Sequence, residues 1–263
     1  MNKPLVFAIC LTKDRPEMTR RAIKSFREQT YENRVLLVYD SSEMADYRLC
    51  RQGKPEEWYA PTLRDGRSIG ELRNYAISMA SEADIIITFD SDDVPHPNRI
   101  AEQVAFLQSS GADVVGYDEV LFWRVPNYAR SHGKLVEGGP GEAWLYSHNR
   151  VPNRHAPGTS FCYWRKYWER NPFKDLPKNN ESTGEDYEFV QGAKLATCSS
   201  VSGPLSDELR KAERLGDTFI YQPRLIASIH GGNTMHYDQI EKKSQNWRRV
   251  PEFDSYCRER MAL

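Results

Sequence analysis

The 263-residue sequence predicts an α/β protein with a mainly parallel sheet flanked by helices. Three observations carry that expectation. Short, continuous apolar runs, such as Leu5–Leu11 and Ile85–Phe89, suit strands buried on both faces. Between them lie segments whose apolar residues recur at helical spacing. Two of the runs end abruptly in acidic and hydroxyl residues, as expected where parallel strands open onto a ligand crevice.

The elements follow in order. After Leu5–Leu11, Asp14 offers an N-cap side chain near Pro16, which a first helical turn tolerates, and Met18, Ala22, Ile23 and Phe26 mark one helix face. Val35–Tyr39 reads as a second buried strand ending in Asp40-Ser41-Ser42. Ile69, Leu72, Ala76, Met79 and Ala83 mark the next helix, and Asp84–Phe89 forms a central strand running into Asp90-Ser91-Asp92-Asp93. Pro97 opens a helix with Ile100, Val104 and Leu107 on one side and Gly111 as its stop. Asp113–Tyr117 and Val120–Trp123 read as two further strands. From about Tyr128 the texture changes to Gly, Pro, Asn and aromatic residues. There Glu142–Ser147 and Thr159–Trp164 are expected strands, Glu185–Leu195 and Pro204–Leu215 expected helices, and Thr218–Ile229 extended. No Pro- or Ser-rich linker divides the chain, so residues 1–263 are expected to form a single domain, about 1–125 binding one ligand and about 126–263 the other.

Composition narrows the function classes. Thirty-six basic residues balance 37 acidic ones, which argues against capture of nucleic acid or anionic lipid by bulk charge. No apolar run approaches the roughly 20 residues of a membrane span, and the N-terminal run reads as a strand rather than a signal peptide. Five cysteines without CxxC spacing argue against a disulfide framework or structural zinc, and for a reducing cytoplasm.

Asp90, Asp92 and Asp93 repel one another unless water or a cation neutralises them, and their hard oxygens suit Mg²⁺ or Mn²⁺. A simple polar turn, with Asp93 capping the helix near Pro97, is the competing reading. Asp90-Ser91-Asp92-Asp93-Val94 also satisfies the DxDx[TV] signature of haloacid-dehalogenase-like phosphatases, although two βα units precede it here.

The surrounding motifs recur in a telling order: Thr12-Lys13-Asp14-Arg15-Pro16, Asp40-Ser41-Ser42, Ile69-Gly70-Glu71-Leu72-Arg73-Asn74, Asp90-Ser91-Asp92-Asp93, Gly184-Glu185-Asp186 and His230-Gly231-Gly232-Asn233-Thr234. Together they resemble the family 2 glycosyltransferases of the GT-A fold, well from about residue 4 to 111 and again at the last two motifs. Lys13-Asp14, Ser41 and Leu72 depart from the usual pattern, and residues 120–180 resemble little.

The resemblance implies an inverting, metal-dependent transfer of sugar from a nucleoside diphosphate sugar to an acceptor hydroxyl, with Mn²⁺ or Mg²⁺ as cofactor. It implies that Thr12, Arg15 and Asp40 hold the nucleobase, Asp40 accepting a uracil N–H and so favouring a UDP-sugar. By the same likeness Arg73 and Asn74 meet ribose or phosphate oxygens, Asp90 and Asp92 bind ribose and metal with Asp93 an alternative ligand, and His230 closes the metal shell. Asp186 is the implied catalytic base; Glu185 competes with it, although Ser182-x-x-Glu185 also fits a capping box. Trp123, Tyr128, Trp144, Tyr146, Tyr163, Trp164 and Trp168 offer either core packing or an acceptor surface, and Lys242, Lys243, Arg248 and Arg249 either a basic lid or a solvated face. The acceptor stays open among glycan, lipid-linked carrier, protein, small molecule and modified nucleic acid. A phosphatase using Asp90 and a non-catalytic nucleotide-sugar or glycan-binding protein stand as alternatives.

Overall fold

The computed structural model describes residues 3–44, 49, 55–62, 66–125, 129–131, 134–136, 141–147, 155–176, 184–201, 222–230, 240 and 244–262. Its elements are β1 (Val6–Thr12), α1 (Pro16–Arg27), β2 (Arg34–Asp40), β3 (Glu57–Pro61), α2 (Ile69–Met79), β4 (Ile85–Thr88), β5 (Val94–Pro95), α3 (Arg99–Ser110) and β6 (Val114–Arg124). The chain continues through β7 (Ala129–Ser131), β8 (Lys134–Val136), β9 (Glu142–Ser147), β10 (Cys162–Trp164), α4 (Arg165–Arg170), α5 (Glu185–Phe189), β11 (Leu195–Ser199), β12 (Leu225–Ile229), β13 (Trp247–Arg249) and α6 (Asp254–Met261). The main sheet has the order β13-β9-β6-β10-β4-β1-β2-β3, and β7 pairs with β8 alone.

Strands β3, β2, β1 and β4 are mutually parallel. Side chains alternate across a pleated strand, so β1 supplies both faces of the core. Val6, Ala8 and Cys10 pack with Ala22, Ile23 and Phe26 of α1 and Ile100, Val104 and Leu107 of α3. Phe7 and Ile9 face the other way, against Ala76 and Ile77 of α2 and against Tyr163, Tyr167, Phe173 and Phe189. This two-faced burial is why the strands read as unbroken apolar runs. It also aligns the strand ends: Thr12 pairs with Asp40, and Ile9 with Thr88, so the segments after β1, β2 and β4 open on one edge.

Beyond β4 the sheet is mixed. β10 runs antiparallel to both β4 and β6, while β11 and β12 lie parallel to different stretches of β6. β12 also pairs antiparallel with β5, which brings a segment far along the chain against the acidic turn.

Several expectations are corrected. Asp14 does not cap α1: Arg15 stands at the N-cap without a side-chain bond, and Asp14, the described non-glycine residue with positive φ (52°), takes its amide to the Ser42 hydroxyl at 2.7 Å. The two strands expected over 113–123 are one, β6. Glu185–Leu195 is not one helix, because α5 stops at Phe189 and Leu195 enters β11. Thr159–Trp164 divides into a 3-10 turn, Gly158–Ser160, followed by β10. The expected helix Pro204–Leu215 lies outside the described residues.

Gly116 of β6 lets the 156–160 segment approach: an added Cβ would meet the Ala156 Cβ at 2.6 Å and the Ser160 Oγ at 3.1 Å. Gly116→Ala is therefore expected to destabilise the protein by about 1–3 kcal/mol through overpacking, read as a lower urea midpoint at unchanged slope.

Candidate active site

The acidic turn after β4 is held on every side by cations and backbone donors. Asp92 is buried, and its Oδ2 accepts from the Arg15 guanidinium at 3.0 Å and lies 3.0 Å from the His230 Nε2. Burial works against its charge, but His230 and Arg15 outweigh burial and hold the carboxyl below its ordinary range. The Asp92 carbonyl accepts from Arg21 at 2.8 Å and from the Ser228 hydroxyl at 2.7 Å. Asp93 accepts from the Thr159 hydroxyl on one oxygen and from the Ser228 amide, at 3.1 Å, on the other. Burial, with Asp92 and Asp90 beside it, pushes the Asp93 carboxyl well up. Asp90 sits 3.6 Å from the Arg73 guanidinium; burial raises its carboxyl despite that neighbour.

Arginines from three helices thus surround three carboxylates. Arg15 and Arg21 come from the start of α1, Arg73 from α2 and the fully buried Arg99 from α3. Arg15, Arg73 and His230 supply part of the countercharge that the cluster's repulsion calls for, while the raised carboxyls of Asp90 and Asp93 show that compensation to be incomplete.

Asp40 ends β2 with 2% of its surface exposed. Its Oδ2 accepts from the Tyr59 hydroxyl, and its Oδ1 from the hydroxyl and amide of Ser42, the latter at 2.9 Å. A carboxylate offers about four acceptor positions, so about one remains for a ligand donor. The Thr12 hydroxyl pairs with the Thr19 hydroxyl of α1 at 2.7 Å, and its carbonyl accepts from the Ser41 amide at 2.9 Å. Arg15 does not join these two residues; it faces Asp92. Asn74 has another occupation altogether. Its Oδ1 accepts from the Trp168 indole at 2.8 Å and the Phe173 amide at 3.0 Å, and its Nδ2 donates to the Phe173 carbonyl at 2.7 Å. Those bonds pin the segment after α4 and take both acceptor positions of the Asn74 amide.

Asp186 lies in the first turn of α5, its side chain 31% exposed. Oδ2 accepts from the Gly158 amide at 3.0 Å and lies 3.8 Å from the His155 Nε2, while Oδ1 accepts from the Tyr187 amide at 2.8 Å. Burial alone would raise this carboxyl; His155 and the two amides outweigh it and hold Asp186 below its ordinary range. Gly158 has to be glycine for this contact, because a Cβ there would stand 2.8 Å from the Asp186 Cβ. Glu185 is buried at 8% exposure, and burial pushes its carboxyl up against the pull of Arg73. The Ser182 of the proposed capping box lies outside the described residues, and Gly184 stands at the N-cap of α5. Burial works against the charge of Arg73, but the field of Asp90, Glu185, Tyr163 and Asp186 outweighs it and holds the guanidinium above its ordinary value.

The structure therefore brings Asp90, Asp92, Asp93, Arg15, Arg73 and His230 together and relates them to Asp186 through Arg73. Sequence reasoning missed Tyr59, Thr159, Ser228, Arg99 and His155. None stands in a recognisable motif: strand pairings place Tyr59 and Ser228, the segment around the 3-10 turn places His155 and Thr159, and α3 places Arg99. Of the aromatic residues, Trp123 and Tyr163 are core, Trp168 serves Asn74, and Trp144 and Tyr146 are half-buried on β9; Tyr128 lies outside the described residues. Gly231, Gly232, Asn233, Thr234, Lys242 and Lys243 also lie outside them. Arg249 lies on β13 and is ion-paired to Asp254.

Among the described residues, no group of three or more His, Cys, Asp or Glu side chains forms a ready metal cage. Asp92 and His230, 3.0 Å apart, still fit a cation of the Mg²⁺ or Mn²⁺ type, which takes one or two protein ligands and completes its shell with phosphate and water. No described helix is long and apolar enough to cross a membrane.

Comparison with known proteins follows the same lines. No curated protein sequence matches the chain. Among solved structures, S. aureus TarS superposes with a TM-score of 0.58 at 14% identity, over 86% of this chain and 37% of that one. TarS 1-349 in complex with UDP-GlcNAc gives 0.56 at 16% identity, over 88% and 60%. The mannosyltransferase PcManGT from Pyrobaculum calidifontis, in complex with GDP-Man and Mn²⁺, gives 0.55 at 13% identity, over 97% and 68%. At such identities the likeness is one of fold, and this chain spans less than two thirds of the TarS chains. The sequence profile of glycosyl transferase family 2 matches residues 8–163, from β1 into β10 and across the strand ends that carry Asp40, Asp90 and Asp92. More than half of the chain lies within that match, and the protein belongs to glycosyl transferase family 2.

Proposed function

We propose that this protein is a metal-dependent, inverting glycosyltransferase that moves a sugar from a nucleoside diphosphate sugar to an acceptor hydroxyl within a single domain. The observation that carries the reading is Arg73, 3.6 Å from Asp90 of the acidic turn and also under the electrostatic influence of Glu185 and Asp186. A diphosphate at the acidic turn and an acceptor at Asp186 would meet across that one guanidinium. Family membership displaces the phosphatase reading of Asp90. The partly exposed carboxylate of Asp186 favours a catalytic protein over a non-catalytic binding one.

Asp40, with about one acceptor position left, receives a ring N–H of the base, which favours a UDP-sugar; the solved relatives were crystallised with UDP-GlcNAc and with GDP-Man. Asp90 takes the ribose, and Asp92 and His230 hold Mn²⁺ or Mg²⁺. When bound, the cation stabilises the charge that accumulates on the leaving diphosphate. Arg15 and Arg73 add fixed positive charge at the same place and need no reorganisation to do so. Asp186 accepts the acceptor hydroxyl's proton as its oxygen attacks the anomeric carbon from the face opposite the diphosphate. A new C–O bond forms as the bond to the diphosphate breaks and its electron pair leaves with phosphate oxygen, so the anomeric configuration inverts. Asp186 is favoured over Glu185 by access, at 31% side-chain exposure against 8% for the whole of Glu185. Cys10, Cys162, Cys198 and Cys257, which form no disulfide among the described residues, accord with a cytoplasmic setting.

A thermal-shift panel of UDP-GlcNAc, other UDP-sugars and GDP-mannose, each with and without Mn²⁺, tests the donor assignment. Stabilisation is expected only with the cation, and Asp92→Asn is expected to abolish the Mn²⁺-dependent part. An EDTA-insensitive response in wild type and mutant alike would sink the metal assignment.

Asp186→Asn keeps the side chain's size but cannot take up a proton, so transfer is expected to fall by about 10²–10⁴-fold with donor affinity little changed. Glu185→Gln is expected to retain activity; the reverse result would transfer the role to Glu185.

The pH dependence follows from the same contacts. Because Asp186 is held below its ordinary range, it stays deprotonated through neutral pH, and the acid limb that its own protonation sets is expected below the ordinary carboxylate pKa of about 4. His155→Asn removes the leading opponent of burial, so the acid limb is expected to move to higher pH. An unmoved limb would show that His155 leaves the base untouched.

A further inference from the structure

We infer that Arg99 and Gln103 are positioning residues that hold the acidic turn and the base in register through the Pro157–Ser160 turn; this rests on the reading of Asp186 as base. Both residues lie on α3 one turn apart, and both are buried, Arg99 at 0% exposure and Gln103 at 2%. The Arg99 Nε donates to the Gln103 Oε1 at 3.0 Å. Its Nη2 donates to the Thr88 carbonyl at 3.0 Å and the Thr159 carbonyl at 2.7 Å, and the Gln103 Nε2 donates to the Ser160 carbonyl at 2.7 Å. One buried fork thus grips the last residue of β4 and two consecutive carbonyls of the turn.

The upper side of the turn carries the functional contacts. The Thr159 hydroxyl bonds Asp93, and the Gly158 amide bonds Asp186 at 3.0 Å. The Ser160 hydroxyl closes the turn onto the Pro157 carbonyl at 2.7 Å and accepts from the Tyr117 amide at 3.0 Å. Three residues therefore form a strut: Thr159 fixes the donor side, Gly158 the base and Ser160 the sheet, while Arg99 and Gln103 brace them from beneath.

The chemistry of Arg99 supports a positioning role over a stabilising one. Its hydrogen bonds go to neutral oxygens, and its Nη1 makes none with the described residues. A fully buried cation without a directly bonded carboxylate is costly, and an apolar side chain of similar size is often as stable or more so. Its planar guanidinium sends Nε to Gln103 and Nη2 to both carbonyls, a fixed two-nitrogen arrangement that a lysine ammonium cannot reproduce. The field of Asp93 and Asp90 adds attraction without a direct bond. The strut also explains why Asp93 spends both oxygens on protein donors: it ties the acidic turn to its surroundings and leaves Asp92 and Asp90 to the ligand.

The test uses the whole chain and two readouts, amide hydrogen exchange without ligand and steady-state turnover of whichever donor the thermal-shift panel selects. Arg99→Lys keeps the charge and loses the fork; Gln103→Met cuts the Ser160 bond without a new charge and serves should Arg99→Lys not fold. Both are expected to speed exchange over residues 156–161 and 184–190 while leaving β1 and α1 as in wild type. Both are expected to lower kcat by about 10- to 100-fold, the cost of a misplaced group, with little change in donor KM. Adding Thr159→Val to Arg99→Lys should cost less than it costs in wild type, because the strut is already loose. Glu102→Gln, which breaks the 2.6 Å ion pair to Arg224 on the same helix, is the control and should change neither readout. Unchanged exchange over 184–190 in folded Arg99→Lys overturns the strut, as does a rise in donor KM at constant kcat. If wild type turns over no donor, the proposed function falls, and the exchange experiment still decides the strut.

Discussion

The constraint on which the rest depends is electrostatic: three carboxylates stand within four residues at the end of a buried strand. Like charges so close in a poorly solvated place force one another out of ionisation or demand countercharge. The protein does both. Asp92 is kept ionised by Arg15 and His230, while Asp93 is pushed toward its neutral form and hydrogen-bonded to Thr159 and Ser228. The arginines doing this work arrive from α1, α2 and α3, so the helices flanking the parallel sheet are tied to the turn by charge as well as by their apolar faces.

The same constraint joins the two halves of the chain. The carboxylates need partners that the first half does not contain, and β12 supplies them. Its antiparallel pairing with β5 sets Ser228 and His230 against Asp92 and Asp93, more than a hundred residues away in sequence. β10, wedged antiparallel between β4 and β6, carries the 156–160 segment to the other side of the turn. What looks from sequence like an irregular second half is thus the part that completes the site.

Legibility tracked how local each determinant is. The parallel strands, the acidic turn and the α2 and α3 faces were legible because apolar periodicity and the strand-end Asp residues are local patterns. Asp92 and His230 were legible as partners only through the ordered motifs of a known family; nothing between residues 92 and 230 announces that β12 returns to β5. Arg99 and Gln103 were passed over because a charged and an amide residue beside Ile100 and Val104 look like the solvated edge of a helix. Asn74 shows the converse: an Asn after Arg at a helix opening suggests a ligand contact, and no motif announces the bonds its amide makes with Trp168 and Phe173. His155 and Tyr59 carried no signal, since their roles arise from a turn and from a strand pairing that sequence spacing does not encode.

The neighbouring carboxyls of Glu185 and Asp186 show how the fold separates two chemically similar groups. Both are disfavoured by burial, yet they move in opposite directions. Glu185 has Arg73 as its main charge partner and cannot overcome desolvation, so its carboxyl rises. Asp186 has two backbone amides and His155, and its carboxyl falls. By proton affinity alone Glu185 would be the stronger base, since basicity grows as the pKa rises toward the working pH. It is also the less accessible of the two, and a base without access has no proton to take. In the proposed role, the contacts that lower the proton affinity of Asp186 are also the ones that aim it: the Gly158 amide fixes one oxygen, and the Tyr187 amide the other. Orientation is worth up to several orders of magnitude when the reacting atoms must meet in line, more than a modest loss of basicity costs. A site built this way favours placement over proton affinity, which is why the turn that bonds Asp186 is itself braced from within the core.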